Sequence, residues 1–296
     1  MDRNLPINMD DSLEEHLLYQ SVGFSIIPYI IEYDYERHDF MPLHWHRELQ
    51  ISWVFEGSLE FLIDGESVVI TNKDILFING NVFHSSSSPK GNAKTLCINF
   101  NLDFLNPKII EEYIGPILAN PNFSYYSLPM VGTFSKYFNI ILNDIPTSET
   151  DSVKETSSTN YFQIINLINL ILEEVVLHFD GDHASIKPEE FSILNKLLSY
   201  THQNYTQKIM IKDLTDYAHI SKTYCNSLFQ KYTRMSPIQY VTAYRLQIAQ
   251  ELIITSNESI SQISEKCGFG TMSYFVEQFR LQYNLSPLKF RKKFQL

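Results

Sequence analysis

The stretch Cys267-Gly-Phe-Gly-Thr-Met-Ser-Tyr-Phe-Val-Glu-Gln-Phe279 decides how this chain is read. A glycine closes one apolar run, a threonine can cap the next, and Tyr274, Phe275 and Phe279 follow at helical spacing, which describes two helices joined by a tight turn. Many helical hairpins share that outline, so the surroundings carry the decision, and they repeat it. Ile211-xx-Leu214-xxx-Ala218-x-Ile220 recurs as Ile260-xx-Ile263-xxx-Cys267-x-Phe269, with the second copy one residue longer in its turn. Each copy continues with a capping hydroxyl (Ser221, Thr271), a tyrosine (Tyr224, Tyr274) and a phenylalanine (Phe229, Phe279). Each ends in Ser-Pro (Ser236-Pro237, Ser286-Pro287) with an aromatic three residues on (Tyr240, Phe290). Between the copies, Pro237 to Ile254 reads as one spacer helix with Arg245, Ala249 and Leu252 along one side. The opening stretch is half of a duplicated helix-turn-helix.

Working outward, 296 residues with 44% apolar content are enough for two cores. The net charge of -11 would by itself argue against a nucleic-acid partner, but it is unevenly spread. From Lys187 onward there are 14 Lys+Arg and 8 Asp+Glu, or +6, whereas residues 1–186 carry -17. A basic module joined to an acidic one follows. The polar, acidic start MDRNLPINMDD has no secretory pattern, no run of 18 uninterrupted apolar residues occurs, and Cys97, Cys225 and Cys267 form no CxxC pair. These features predict a cytoplasmic protein without a membrane partner and with the cysteines as buried hydrophobes.

From Leu43 to Asn101 the texture is β. Residues 49–55 alternate with period two, and apolar runs follow at 59–63, 67–71, 75–78 and 95–101, separated by turns such as Asp64-Gly65 and Asn79-Gly-Asn81. Short strands at this spacing predict an antiparallel barrel or sandwich. Helical patterns follow near 108–119, 131–143 and 160–179, the last opening at Thr159 after the polar run 147–159, and residues 180–185 read as a linker. The helix at 160–179 is apolar around much of its circumference, which fits packing within its own domain or a homodimer seam through 159–179. The fold class expected is α+β, divided into a barrel (1–106), a helical segment ending in the linker (107–183) and an all-α region of two helix-turn-helix units (184–296).

The last ninety residues or so, with Arg245-xxx-Ala249-xx-Leu252, Ser273-Tyr-Phe275 and Ser286-Pro287-xx-Phe290-Arg291, resemble the AraC/XylS family of bacterial transcription regulators. The resemblance implies a sequence-specific, ligand-responsive DNA-binding regulator, an activator by family habit, that works with RNA polymerase and places two recognition helices in successive major grooves. Carried onto the first such helix, residues 221–231, it leaves Lys222, Thr223, Asn226, Ser227 and Gln230 outward as base-contact candidates. Asn226 suits an adenine edge and Thr223 a thymine methyl. The second helix offers Met272, Ser273 and Glu277. Glu277 departs from the family pattern, since it can accept from a cytosine amine but repels phosphate. Candidates for the DNA backbone are Ser221, Lys231, Thr271, Arg280, Lys289, Arg291, Lys292 and Lys293. Arg245 reads as structural.

In the β half, Pro42-Leu-His44-Trp-His46-Arg-Glu48-Leu-Gln50, Gly57 and, further on, Asp74–Gly80 and His84 resemble a cupin barrel. His44, His46, Gln50 and His84 are candidates to line a pocket for a small-molecule effector whose identity the sequence does not reveal. His44, His46 and His84 are also the candidate metal ligands, with Gln50 standing where metal-binding cupins place a glutamate and Glu48 a possible substitute. Two functions compete: a barrel that senses a ligand without catalysis, and a metal-dependent cupin enzyme fused to a DNA-binding module. The first is favoured by the family resemblance, with no catalytic residue and no cofactor assigned.

Overall fold

The computed structural model describes residues 9, 10, 12–17, 25–120, 122–145, 158–178 and 188–295. The expected linker at 180–185, the polar run up to 157 and the side chain of Thr159 lie outside the described residues. The chain divides into two units, one spanning Glu15–Ile186 and the other Lys187–Leu296, with Met9–Glu14 grouped with the latter.

The first unit is built on two antiparallel sheets. Its strands are β1 (Ile26–Tyr33), β2 (Phe40–His44), β3 (Leu49–Glu56), β4 (Ser58–Ile63), β5 (Glu66–Thr71), β6 (Asp74–Ile78), β7 (His84–Ser87), β8 (Ala93–Phe100) and β9 (Tyr125–Pro129). One sheet has the order β1-β8-β3-β6-β9 and the other β2-β7-β4-β5. The five apolar runs expected as strands are β3, β4, β5, β6 and β8. The other four were not expected, and three of them carry a proline, Pro28, Pro42 and, as the last residue of β9, Pro129. Pro28 in β1 and Pro42 in β2 are accommodated because each strand lies at a sheet edge, where a missing N–H leaves no ladder bond unmade, and the β2–β7 register also shifts between Met41 and His44.

Alternation along β3 sends its two faces to different places. Leu49, Ile51 and Trp53 join Ile75, Phe77, Leu96, Ile98 and Phe100 in a core shared with helices, whereas Val54 joins Leu59, Phe61, Ile63, Ile70, Leu76 and Ile78 between the sheets. The helices on the outer face are α1 (residues 107–118, passing through one π turn at Ile110–Ile114), α2 (Gly132–Asp144) and α3 (Ser158–His178). By length and apolar composition alone α3 is able to cross a membrane. Its buried positions, Ile164, Leu167, Ile168, Ile171, Leu172 and Val175, belong to the helix–sheet core, and the exposed stripe runs Phe162, Asn166, Asn169, Glu173 and Leu177. Its apolarity is therefore largely explained by packing within its own unit.

Among the described residues from 188 onward every regular element of the second unit is a helix: α4 (Pro188–Asn204), α5 (Ile211–Ala218), α6 (Lys222–Thr233), α7 (Pro237–Thr255), α8 (Ile260–Lys266), α9 (Met272–Tyr283) and α10 (Pro287–Phe294). The pairs α5–α6 and α8–α9 are the two helix-turn-helix copies, and α7 is the spacer, about 28 Å long at 1.5 Å per residue. Caps explain these boundaries. Ser221 and Thr271 accept from the backbone N–H of Tyr224 (3.2 Å) and Tyr274 (3.3 Å), while Ser236 with Gln239 and Ser259 with Gln262 form reciprocal capping boxes. The duplication extends to the backbone: His219 and Gly268 sit at φ 55° and 76° after α5 and α8, and Arg234 and Asn284 at 58° and 56° after α6 and α9. Glycine is required only at 268, because a Cβ there would lie 2.6 Å from the Tyr205 carbonyl oxygen.

Candidate DNA-reading helices and ligand site

Helix α6 is held by Cys225, Leu228, Phe229 and Tyr232, all buried, so the remaining arc faces outward. Lys222, Thr223, Ser227 and Gln230 are exposed and Asn226 is half-buried. The last two polar groups of the central turn are engaged with their own helix: Asn226 Nδ2 donates to the Lys222 carbonyl (2.8 Å) and Ser227 Oγ to that of Tyr224 (2.8 Å). Neither bond is part of the helical ladder, so both can be exchanged for a base edge. On α9, Phe275, Phe279 and Tyr283 are buried, leaving Met272, Ser273, Tyr274, Glu277 and Arg280 exposed. The outward face of the second copy is thus more apolar and carries an acid.

The proposed phosphate contacts separate into two groups. Ser221, Thr271, Arg280, Lys289, Lys292 and Lys293 are exposed, the two hydroxyls at helix starts where backbone N–H groups favour an anion. Lys231 is exposed but forms an ion pair with Glu190 (2.9 Å), whose carboxylate also accepts from the Tyr232 hydroxyl. Arg291 is half-buried, and its Nε donates to the Ile253 carbonyl (3.1 Å) at the end of α7, which makes it a structural cap. Arg245 is structural as expected, though its partners are the carbonyls of Tyr205 (2.7 Å) and Gln207 (2.6 Å), not a carboxylate.

In the first unit the four pocket candidates converge. His44 ends β2 directly opposite His84, the first residue of β7. His46 follows in a loop clamped by the turn at 79–81: Asn81 N–H donates to the His46 carbonyl (2.7 Å), and Gly80 sits so close to Arg47 that a Cβ would lie 2.4 Å from its carbonyl oxygen. Ring centroids are 4.1 Å apart for His44–His84, 5.0 Å for His46–His84 and 5.8 Å for His44–His46. All three rings are buried. Burial pulls His44 down to about 3 and lowers His46 and His84, so all three are neutral imidazoles at neutral pH. In each, Nδ1 faces a backbone carbonyl: Pro42 (2.7 Å), Glu48 (3.0 Å) and Val82 (2.9 Å).

Gln50, on the inner face of β3, places Oε1 3.0 Å from His46 Nε2 and 3.2 Å from His84 Nε2, and its Nε2 donates to Ser52 Oγ (2.7 Å). Glu48 lies on the far side of His46, with Oε2 4.0 Å from Nδ1, and does not join the convergence. The sequence reading missed Glu15. Its backbone N–H donates to the Trp45 carbonyl (2.8 Å), and its buried carboxylate reaches 3.5 Å from His44 Nε2. Burial, with a smaller contribution from Glu48, pushes Glu15 up to about 7. No periodicity or motif in the N-terminal segment signals this position. Three imidazoles, an amide and a carboxylate at one end of the barrel can hold a polar effector or a metal ion.

Two family profiles match the chain: the AraC-like ligand binding domain over residues 26–113 and a helix-turn-helix domain over residues 214–293, together more than half of its length. The chain belongs to the AraC family of transcription regulators. This AraC-family regulator is 24% identical to the HTH-type transcriptional regulator YdeC of Bacillus subtilis, over 96% of its own length and 97% of the relative's. It is 22% identical to the melibiose operon regulatory protein of Escherichia coli, over 88% and 87% respectively. Among solved structures it is similar to ToxT of Vibrio cholerae, with 12% identity, coverage of 91% and 99%, and a TM-score of 0.48. The AraC-family regulator thus pairs a ligand-binding half with a DNA-binding half, and the histidine cluster lies within the matched ligand-binding region.

Proposed function

We propose that this chain is a cytoplasmic, effector-responsive activator whose barrel (1–106) and helical segment (107–183) sense a small molecule and whose C-terminal region (184–296) reads DNA. The observation that carries the reading is the contrast between the two outward helix faces. The α6 face is polar and rich in hydrogen-bonding groups, whereas α9 presents Met272, Ser273 and Glu277. Base reading is assigned chiefly to α6, through Thr223, Asn226, Ser227 and Gln230 with Lys222 at the edge, and α9 mainly positions the protein. Phosphates are held by Arg280, Lys289, Lys292 and Lys293 with the helix starts at Ser221 and Thr271. Lys231 would have to exchange Glu190 for a phosphate, and Arg291 is withdrawn from this role.

Effector occupancy of the polar end of the barrel shifts the population of DNA-competent molecules, and the bound form recruits RNA polymerase. A homodimer seam, if α3 forms one, is restricted to the stripe through Phe162 and Leu177. The barrel is taken as a sensor, not a catalyst; the buried histidines are the one observation that favours a metal-dependent enzyme instead. The test is selection of bound genomic fragments by the full-length protein, followed by titration of the best fragment against random duplex over a range of salt. A preference of several kcal/mol that survives moderate salt supports specific regulation. Weak, wholly salt-sensitive binding without preference, with the full chain and the 187–296 fragment alike, rejects it.

A further inference from the structure

The polar end of the barrel presents an unbalanced set of hydrogen-bonding groups. A neutral imidazole carries one ring proton, and a carbonyl oxygen can only accept. Because Nδ1 of His44, His46 and His84 each faces a backbone carbonyl, each ring proton is committed there and each Nε2 is left as a bare electron-pair donor. One ring nitrogen from each of the three histidines lies within 4.8 Å of the other two. What they meet is oxygen. Gln50 directs its amide nitrogen to Ser52 and its oxygen to His46 and His84, and Glu15 brings a carboxylate oxygen toward His44 that has no hydrogen-bond donor of its own. Three nitrogens and two oxygens, all buried, therefore face one another with no donor among them once Glu15 is ionised.

Such a constellation is stabilised by a cation at its centre. We propose that the barrel binds one divalent transition-metal ion through Nε2 of His44, His46 and His84 and the carboxylate of Glu15. The donor set is the borderline kind, imidazole with a single carboxylate, that suits zinc and its neighbours and not magnesium or calcium. The three backbone carbonyls do the orienting that second-shell groups do at metal-bound histidines, fixing both tautomer and ring plane. Gln50 lies against the site as a neutral oxygen. Glu15 arrives from a segment outside the sheets, anchored by its N–H on Trp45, so the ion would tie residues 15–17 to the barrel as well as fill it. The proposal deepens the reading of the barrel as the effector-binding half, and its test involves no DNA, so the two can fail separately.

The experiment uses the full-length chain without a histidine tag, stripped with chelator, checked for its fold by circular dichroism, and titrated with Co²⁺. One equivalent should bind with the intense visible absorption of a low-coordinate cobalt site, and Zn²⁺ should displace it. His44→Ala and His84→Ala should each weaken binding at least a hundredfold. Glu15→Gln should weaken it about tenfold and shift the visible spectrum, since it exchanges an anionic ligand for a neutral one. Should the histidine variants not fold, Gln50→Glu supplies a second reading: an added carboxylate should tighten binding tenfold or more. Absence of stoichiometric binding to the folded, stripped protein would overturn the proposal. So would binding that is indifferent to the histidine substitutions or to both Glu15→Gln and Gln50→Glu.

Discussion

Single residues separate reading from support in the helical unit. Asn226 already forms an expendable bond to the Lys222 carbonyl, so Asn226→Ala leaves no buried group unpaired. It should weaken the specific site by about 1–3 kcal/mol and relax the preference at one base pair, while Lys292→Ala weakens specific and random duplex equally. Competition titrations with both duplexes distinguish the two, and equal losses for Asn226→Ala would remove it from the reading face. Gly268 makes the opposite kind of demand. It combines φ 76° with direct contact on the Tyr205 carbonyl, the same oxygen that Arg245 Nε engages. Gly268→Ala should therefore destabilise the unit by at least about 2 kcal/mol in chemical denaturation, with any loss of DNA binding following from that. His219→Ala, at the corresponding place in the first copy, should be far milder, because that backbone already tolerates a side chain.

At the scale of elements, α4 docks on the spacer helix through His202, whose Nε2 meets the Tyr240 hydroxyl at 3.0 Å and whose ring stacks on Tyr244 at 3.9 Å. Burial pulls His202 from 6.5 down to about 3. Below pH 6.5 the unfolded chain takes up a proton that the folded chain refuses until about pH 3. The contribution of His202 is therefore complete above pH 6.5 and lost progressively as pH falls, by about 2 kcal/mol at pH 5. Unfolding followed from pH 7.5 to 5 should show this slope, and His202→Gln should flatten it. Helix α9 supplies another prediction. If Glu277 opposes phosphate, Glu277→Gln raises affinity for every duplex together, and a gain confined to one sequence would mean that Glu277 reads a base. These elements were legible to different degrees. The helix-turn-helix copies were readable because each turn needs its cap and its left-handed residue, and two copies carry that grammar twice. Strands β3 to β6 and β8 were readable from alternation and turns. Strands β1 and β2 were not, because edge positions excuse a proline, and β7, His84–Ser87, is too polar for its sequence to suggest burial. The histidines were found through the resemblance to a cupin barrel, but Glu15 reaches them by chain path alone, which no local pattern encodes.

For the whole molecule, the uneven charge has a direct physical reading. Residues 1–186 carry -17 and the remainder +6, so any duplex that approaches meets attraction from one half and repulsion from the other. The isolated 187–296 fragment should therefore bind random duplex more tightly than the full chain at low salt, and the two should converge as salt rises past the range of the sensor's field. An unchanged ratio at all salts would place the difference in packing or ligand state instead. The placement of tryptophan carries a last consequence. The chain has two, Trp45 and Trp53, and none follows residue 186. Trp53 is packed against Phe138 of α2, 5.1 Å between ring centroids, and Trp45 stands between two histidines and accepts the Glu15 N–H. Intrinsic emission is thus blind to the DNA-reading half and carries two separate channels from the other, one from the helix–sheet core and one from the polar end of the barrel. With Trp53→Phe, the remaining signal becomes an optical gauge of whatever enters beside His44 and His46.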